Sequence, residues 1–131
     1  MARRKLRVLT DFELEIMRII WAQEETTVPE LQEALRKAGR PVALPTVRTM
    51  LGILEEKGYV VRRTGLRRHA YRAAVSARQA RSGLLRDIIE RAFDGSALSL
   101  VAALVDARMV TRKEMEKVRR LIEQSEQEPK K

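Results

Sequence analysis

The chain has 131 residues, with 27 Lys and Arg against 18 Asp and Glu, one His, no Cys and a formal net charge of +9. Without Cys there is no disulfide framework, zinc finger, thiolate nucleophile or cysteine metal cluster, and no apolar run approaches the roughly 18–20 residues of a membrane span. The length fits one domain or two very small ones, the 44% hydrophobic residues with only 4% aromatics imply an aliphatic core, and the positive excess points to a polyanion, nucleic acid before an anionic membrane.

The charge is uneven along the chain. Residues 1–42 carry 8 basic and 7 acidic side chains, residues 43–75 carry 7 and 2, and residues 76–131 carry 12 and 9. The middle quarter therefore holds more than half of the excess, which a uniformly basic protein would not show. Met1 to Arg7 is basic, but Asp11 and Glu13 interrupt what would be the apolar stretch of a signal peptide, so the expected compartment is the cytoplasm.

Four capping boxes mark helix starts: Thr10 with Glu13, Thr27 with Glu30, Ser76 with Gln79 and Thr111 with Glu114. In each, the hydroxyl accepts from the third amide on, and the Glu or Gln accepts from the cap amide. The first helix is expected over about 11–22. Phe12, Ile16, Ile19 and Ile20 form one face and Leu14, Met17 and Trp21 a second, an apolar surface wide enough for more than one neighbour. The second helix is expected over about 28–38, with Pro29 in its first turn, Leu31, Ala34, Leu35 and Ala38 inward, and Gly39 just past its end.

A third helix begins near Leu44-Pro45 and ends at Gly58. Val47, Met50, Leu51 and Leu54 recur at helical spacing as its buried stripe. The opposite face shows Pro45, Thr46, Arg48, Thr49 and Gly52. Such a slim surface suits a helix whose backbone must come close to base edges in a DNA groove; the alternative is an ordinary solvent face. Past Gly58 the period changes. Tyr59 to Arg63 is β-prone, Thr64-Gly65 is a turn signal, and Leu66 to Tyr71-Arg72 returns. This reads as a wing packed through Val60 and Tyr71, with Arg62, Arg63, Arg67, Arg68 and His69 as candidate phosphate contacts. His69 has no second His and no Cys to share a metal with, so no metal site is expected. Glu55-Glu56-Lys57 reads as a solvated face.

The predicted fold is mainly α. A winged helix-turn-helix of three helices and a β-hairpin wing occupies residues 1–75, and a three-helix dimerisation region occupies residues 76–131. The third helix would lie in the major groove, with the amides at its N-terminus and the wing arginines on phosphates. In the C-terminal region, helices are expected over 77–93, 97–108 and 112–124. Their apolar residues include Leu84, Leu85, Ile88, Ile89, Phe93, Leu100, Val101, Leu104, Val105, Val118, Leu121 and Ile122. About fifty residues hardly bury so apolar a middle helix alone. Dimerisation through these residues is therefore expected, the alternative being a fold-back onto the chain's own N-terminal domain. No Ser-His-Asp arrangement, Walker A loop or GxGxxG is present, so no enzyme activity and no cofactor are expected. Nonspecific architectural DNA binding and a helical adaptor for an acidic surface are the competing functions.

Leu9-Thr10-Asp11-Phe12-Glu13-Leu14-Glu15-Ile16-Met17 with Trp21, Thr46-Val47-Arg48-Thr49-Met50-Leu51, Leu54-Glu55-Glu56-Lys57-Gly58, Tyr71 and Phe93-Asp94-Gly95-Ser96 together resemble the penicillinase repressor family. These are bacterial winged-helix repressors of beta-lactamase and methicillin-resistance genes. The resemblance covers about residues 8–124. It implies a homodimeric repressor on double-stranded DNA at a palindromic operator, with Thr46, Arg48 and Thr49 in the major groove. It also implies a membrane metalloprotease sensor as regulatory partner, cutting within the dimerisation helices at an Asn-Phe bond. Ala102-Ala103-Leu104-Val105 stands at that place here. Copper-responsive members carry a C-terminal cysteine metal motif, which a chain without Cys excludes.

Overall fold

The computed structural model describes residues 8–65 and 69–128. Helix α1 (Asp11–Trp21) is followed by the short strand β1 (Thr26–Thr27), α2 (Val28–Lys37), α3 (Leu44–Lys57), β2 (Val60–Arg63) and β3 (Ala70–Ala73). Then come α4 (Ala77–Ala92), α5 (Ala97–Asp106) and α6 (Arg112–Gln127). The described strands form one antiparallel sheet in the order β1-β3-β2. Three helices with a two-stranded wing, followed by three further helices, make the mainly α, winged-helix architecture expected from the sequence.

All four capping boxes are closed. The Thr10, Thr27 and Thr111 hydroxyls accept from the amides of Glu13, Glu30 and Glu114, whose carboxylates accept in return. Ser76 and Gln79 exchange the same two bonds at 3.0 and 2.8 Å. A start that the capping boxes do not mark is that of α5, where Ser96 accepts from the Ser99 amide at 3.0 Å. The helix ends follow equally local rules. Gly39 (φ 88°) and Gly58 (φ 89°) take the left-handed conformation just past α2 and α3. There the Arg40 and Tyr59 amides reach back to the carbonyls of Leu35 and Leu54, both at 2.9 Å, satisfying groups the helix leaves open.

The core of the N-terminal half is aliphatic. Ile16, Met17 and Ile20 of α1, Leu31 and Leu35 of α2, and Val47, Leu51 and Leu54 of α3 are at most 1% exposed. Val60 and Tyr71 close the core from the wing, as the sequence predicts. The second face of α1 is used as well. Leu14 and Trp21 pack against the core beside the buried Met17, and the Trp21 indole N–H donates to the Val75 carbonyl at 2.9 Å, tying α1 to the segment before α4.

The sheet holds one strand that the sequence reading lacked. Thr26 pairs with Tyr71 and Thr27 with Ala70. Two residues are too few to show an alternation, and β1 exists because β3 supplies its partner. On the other edge, the register pairs Val60 with Ala73 and Arg63 with Ala70, and the Ala74 amide extends the ladder to the Tyr59 carbonyl at 2.8 Å.

The chain separates into two compact units, residues 1–87 and 88–131. This division falls inside α4. The start of α4 stays with the first unit because Ala80, 1% exposed, is part of its core. In the second unit neither α5 nor α6 contains a buried residue.

Candidate nucleic-acid interface

Helix α3 is built to present one side. With Val47, Leu51 and Leu54 fully buried, the helical repeat turns Pro45, Thr46, Arg48, Thr49 and Gly52 outward, and all five are exposed. Arg48 has no ion-pair partner among the described residues. The approach to this helix is fixed by a side-chain clamp, Gln32 Nε2 donating to the Val42 carbonyl at 3.0 Å. The first turn offers fewer amides to a phosphate than the sequence suggested. Pro45 has no N–H, and the Thr46 and Val47 amides both bond to the Ala43 carbonyl, at 3.0 and 3.1 Å.

A cleft runs between α3 and the wing. Arg48, Gly52 and Glu55 line it from the helix, Arg62, His69 and Tyr71 from the hairpin, and Val28 and Pro29 from the start of α2. Arg62 reaches Glu55 across it, Nε to Oε2 3.8 Å, with both side chains about 40% exposed. Arg63 is different. It points to the other side of the sheet, because neighbouring strand residues alternate, and it makes a two-pronged bond to Glu25 at 2.9 and 3.0 Å. There it shares a shallow hollow with Trp21, Glu24 and Arg72. The structure thus brings Arg48, Arg62 and His69 together and sets Arg63 apart. Arg67 and Arg68 lie outside the described residues.

The run Glu55-Glu56-Lys57 is not one solvated face. Glu55 faces Arg62, Glu56 is exposed, and Lys57 turns back to Glu13 of α1, Nζ to Oε1 2.6 Å. Glu13 is 3% exposed. Burial by itself pushes its carboxyl up, but the hydrogen bond and charge of Lys57 and the bonds from Thr10 outweigh this and hold it below the ordinary carboxylate value. Lys57 also reaches the Val8 carbonyl at 3.4 Å. It is therefore a strut between α1 and the end of α3, and its charge is not available to a polyanion. No sequence signal marks a pair 44 residues apart.

Of the predicted dimerisation residues, Leu85, Ile88, Val101, Val105, Val118, Leu121 and Ile122 are exposed, while Leu84, Ile89, Phe93, Leu100 and Leu104 are half-buried. Leu98 (78%) and Met109 (70%) are the most exposed large apolar residues described, and the sequence reading did not single them out.

This helix order, the added sheet and the outward face of α3 define a winged-helix protein of the transcriptional-regulator class. The family model described as Penicillinase repressor matches residues 9–124. The chain belongs to the penicillinase repressor family. Among solved structures it is similar to the DNA binding domain of the repressor BlaI, at 25% identity and a TM-score of 0.50, covering 58% of this chain and 90% of that one. It also shares its fold with the hsRosR-SG complex structure, at 15% identity and a TM-score of 0.51 over 93% of this chain and 96% of that one. No curated protein sequence matches the chain significantly.

Proposed function

We propose that the protein is a sequence-specific repressor that binds a palindromic operator as a homodimer in the cytoplasm. The observation that carries the reading is the α3 face, a slim exposed surface around Arg48 whose reverse side is locked into the core. Such a helix enters a major groove without disturbing the fold behind it. In this reading Arg48 reads a base edge, with Pro45, Thr46 and Thr49 beside it. Arg62, Arg67, Arg68 and His69 hold phosphates, and Arg63, bound to Glu25, steadies the wing. The similarity to a DNA binding domain of a repressor over 58% of the chain supports the same assignment.

Dimerisation is supported by the exposure pattern. Ten of the twelve exposed large apolar residues described lie at or beyond Leu85, a concentration that marks an association surface. Two copies related by a two-fold axis would present two α3 helices to two half-sites. Cleavage by a membrane metalloprotease sensor is not part of the proposal, because Ala102 to Val105 lies within α5 without the Asn-Phe bond.

The test is to sequence the fragments that the protein retains from genomic DNA and to measure affinity for the recovered site against a scrambled duplex. A specific repressor binds the site about 10³-fold or more tighter. Equal affinity for both duplexes overturns the reading in favour of architectural binding, and no DNA retention at all would favour an adaptor.

A further inference from the structure

Nothing among the described residues requires Gly52 to be glycine. It sits in the interior of α3, where glycine is less stable than alanine or almost any other residue. Its φ is not positive, unlike those of Gly39, Gly58, Gly65 and Gly95, so the backbone does not require it. Among the described residues, a Cβ at this position would meet no other group within 4 Å, so their packing does not require it either. The helix gives up stability here for a bare stretch of backbone.

That stretch lines the cleft between α3 and the wing. Arg48 flanks it on the helix and Arg62 and His69 on the hairpin, with Glu55 the one acidic lining residue among those described. Glu55 is engaged with Arg62 at 3.8 Å, which leaves the cleft with a positive balance. A helix in the major groove and a wing on flanking phosphates force the intervening strand of the duplex to pass between them. We propose that one sugar–phosphate strand of the bound duplex lies in this cleft, seated on the bare backbone of Gly52 between Arg48 and Arg62. The assignment rests on the DNA-binding reading above and adds a positioning residue to it. Any side chain at position 52 would lift the strand from its seat and weaken the backbone contact whatever the base sequence.

Full-length Gly52→Ala and Gly52→Leu test this beside the wild type. Each is melted without DNA. Each is then titrated with the tightest duplex that the wild type selects from a random-sequence library, and with one fixed unrelated duplex. Gly52→Ala should melt a few degrees higher yet bind both duplexes at least tenfold more weakly, and Gly52→Leu should bind more weakly still. The loss should be the same on the two duplexes, because the contact is to backbone and not to bases. Wild-type affinity in Gly52→Ala overturns the strand seat. So does a melting temperature that fails to rise, since the glycine would then serve the fold. If the wild type binds both duplexes equally, the operator reading fails while the seat is still decided by the variants. If the wild type binds neither duplex, both fall.

Discussion

Glu13 shows how one side chain serves two levels of structure. Its Oε1 accepts from the Thr10 amide at 2.8 Å, closing the cap of α1, and from Lys57 Nζ at 2.6 Å, joining α1 to α3. Lys57→Ala leaves this carboxylate buried without its cation and should destabilise the fold by about 3 kcal/mol, since breaking a buried pair costs far more than the pair contributes. The denaturation midpoint in urea reads the effect, and an unchanged midpoint would count against the strut. The same pair makes a pH prediction. The folded carboxyl titrates below its ordinary value of 4.5, so its contribution is fully present above that value and is lost as pH falls through the lower, folded one. Wild-type stability should therefore drop across this acid range, and Glu13→Gln should flatten the drop. At the wing, two adjacent arginines should behave differently. Arg62→Ala should weaken binding to all duplexes and lower the salt slope by about one. Arg63→Ala should leave the slope unchanged, because two short bonds tie its guanidinium to Glu25 on the other side of the sheet, whereas Arg62 meets Glu55 only at 3.8 Å. Equal effects would mean that the sheet face does not separate their roles.

At the scale of elements, the helices are bounded by local chemistry, and the end of α5 places an unusual residue in such a boundary. α5 ends with the αL turn used by α2 and α3, the Met109 amide bonding to the Leu104 carbonyl at 3.0 Å, yet the left-handed residue is Arg108 (φ 55°). An L side chain costs roughly 1–2 kcal/mol in this region, partly offset when glycine replaces it by the greater freedom of glycine in the unfolded chain. Arg108→Gly should therefore stabilise the protein by about 0.5–1 kcal/mol, read as a higher melting temperature at fixed protein concentration. A lower one would show that the Arg108 side chain makes a stabilising contact in the assembled molecule. The turn before α5 is built similarly, with Asp94 (φ 49°) and Gly95 (φ 78°) both left-handed, and it is the Asp-Gly of the family-like Phe93 to Ser96 stretch.

For the whole molecule, the unresolved energetic problem is α5 and α6. Leu98, Leu121 and Ile122 are 78%, 64% and 57% exposed, and burial of a Leu or Ile contributes about 1.5–3 kcal/mol. A second copy of the chain is the partner that the proposed function supplies. Val101→Asp combined with Leu121→Glu should convert a two-chain species into single chains in sedimentation equilibrium, with the N-terminal half still folded by circular dichroism. Operator affinity should fall steeply, because one α3 then binds without its twin. A wild-type protein that sediments as a single chain would remove the homodimer from the proposed function.

Helix existence, helix starts and the inward stripes were legible in the sequence because they depend on residues three or four apart. The Thr10, Thr27, Ser76 and Thr111 boxes and the Val47-Leu51-Leu54 stripe needed no knowledge of what they pack against, and the outward set from Pro45 to Gly52 follows as their complement. What lies far apart in the chain was decided by tertiary structure alone. β1 forms only against β3, Lys57 finds Glu13 across 44 residues, and the pleat sends Arg62 to the cleft beside α3 and Arg63 to Glu25. Local periodicity tells which face a side chain occupies, whereas the charge it meets there is set by chain segments brought in by folding, and no short-range pattern encodes that.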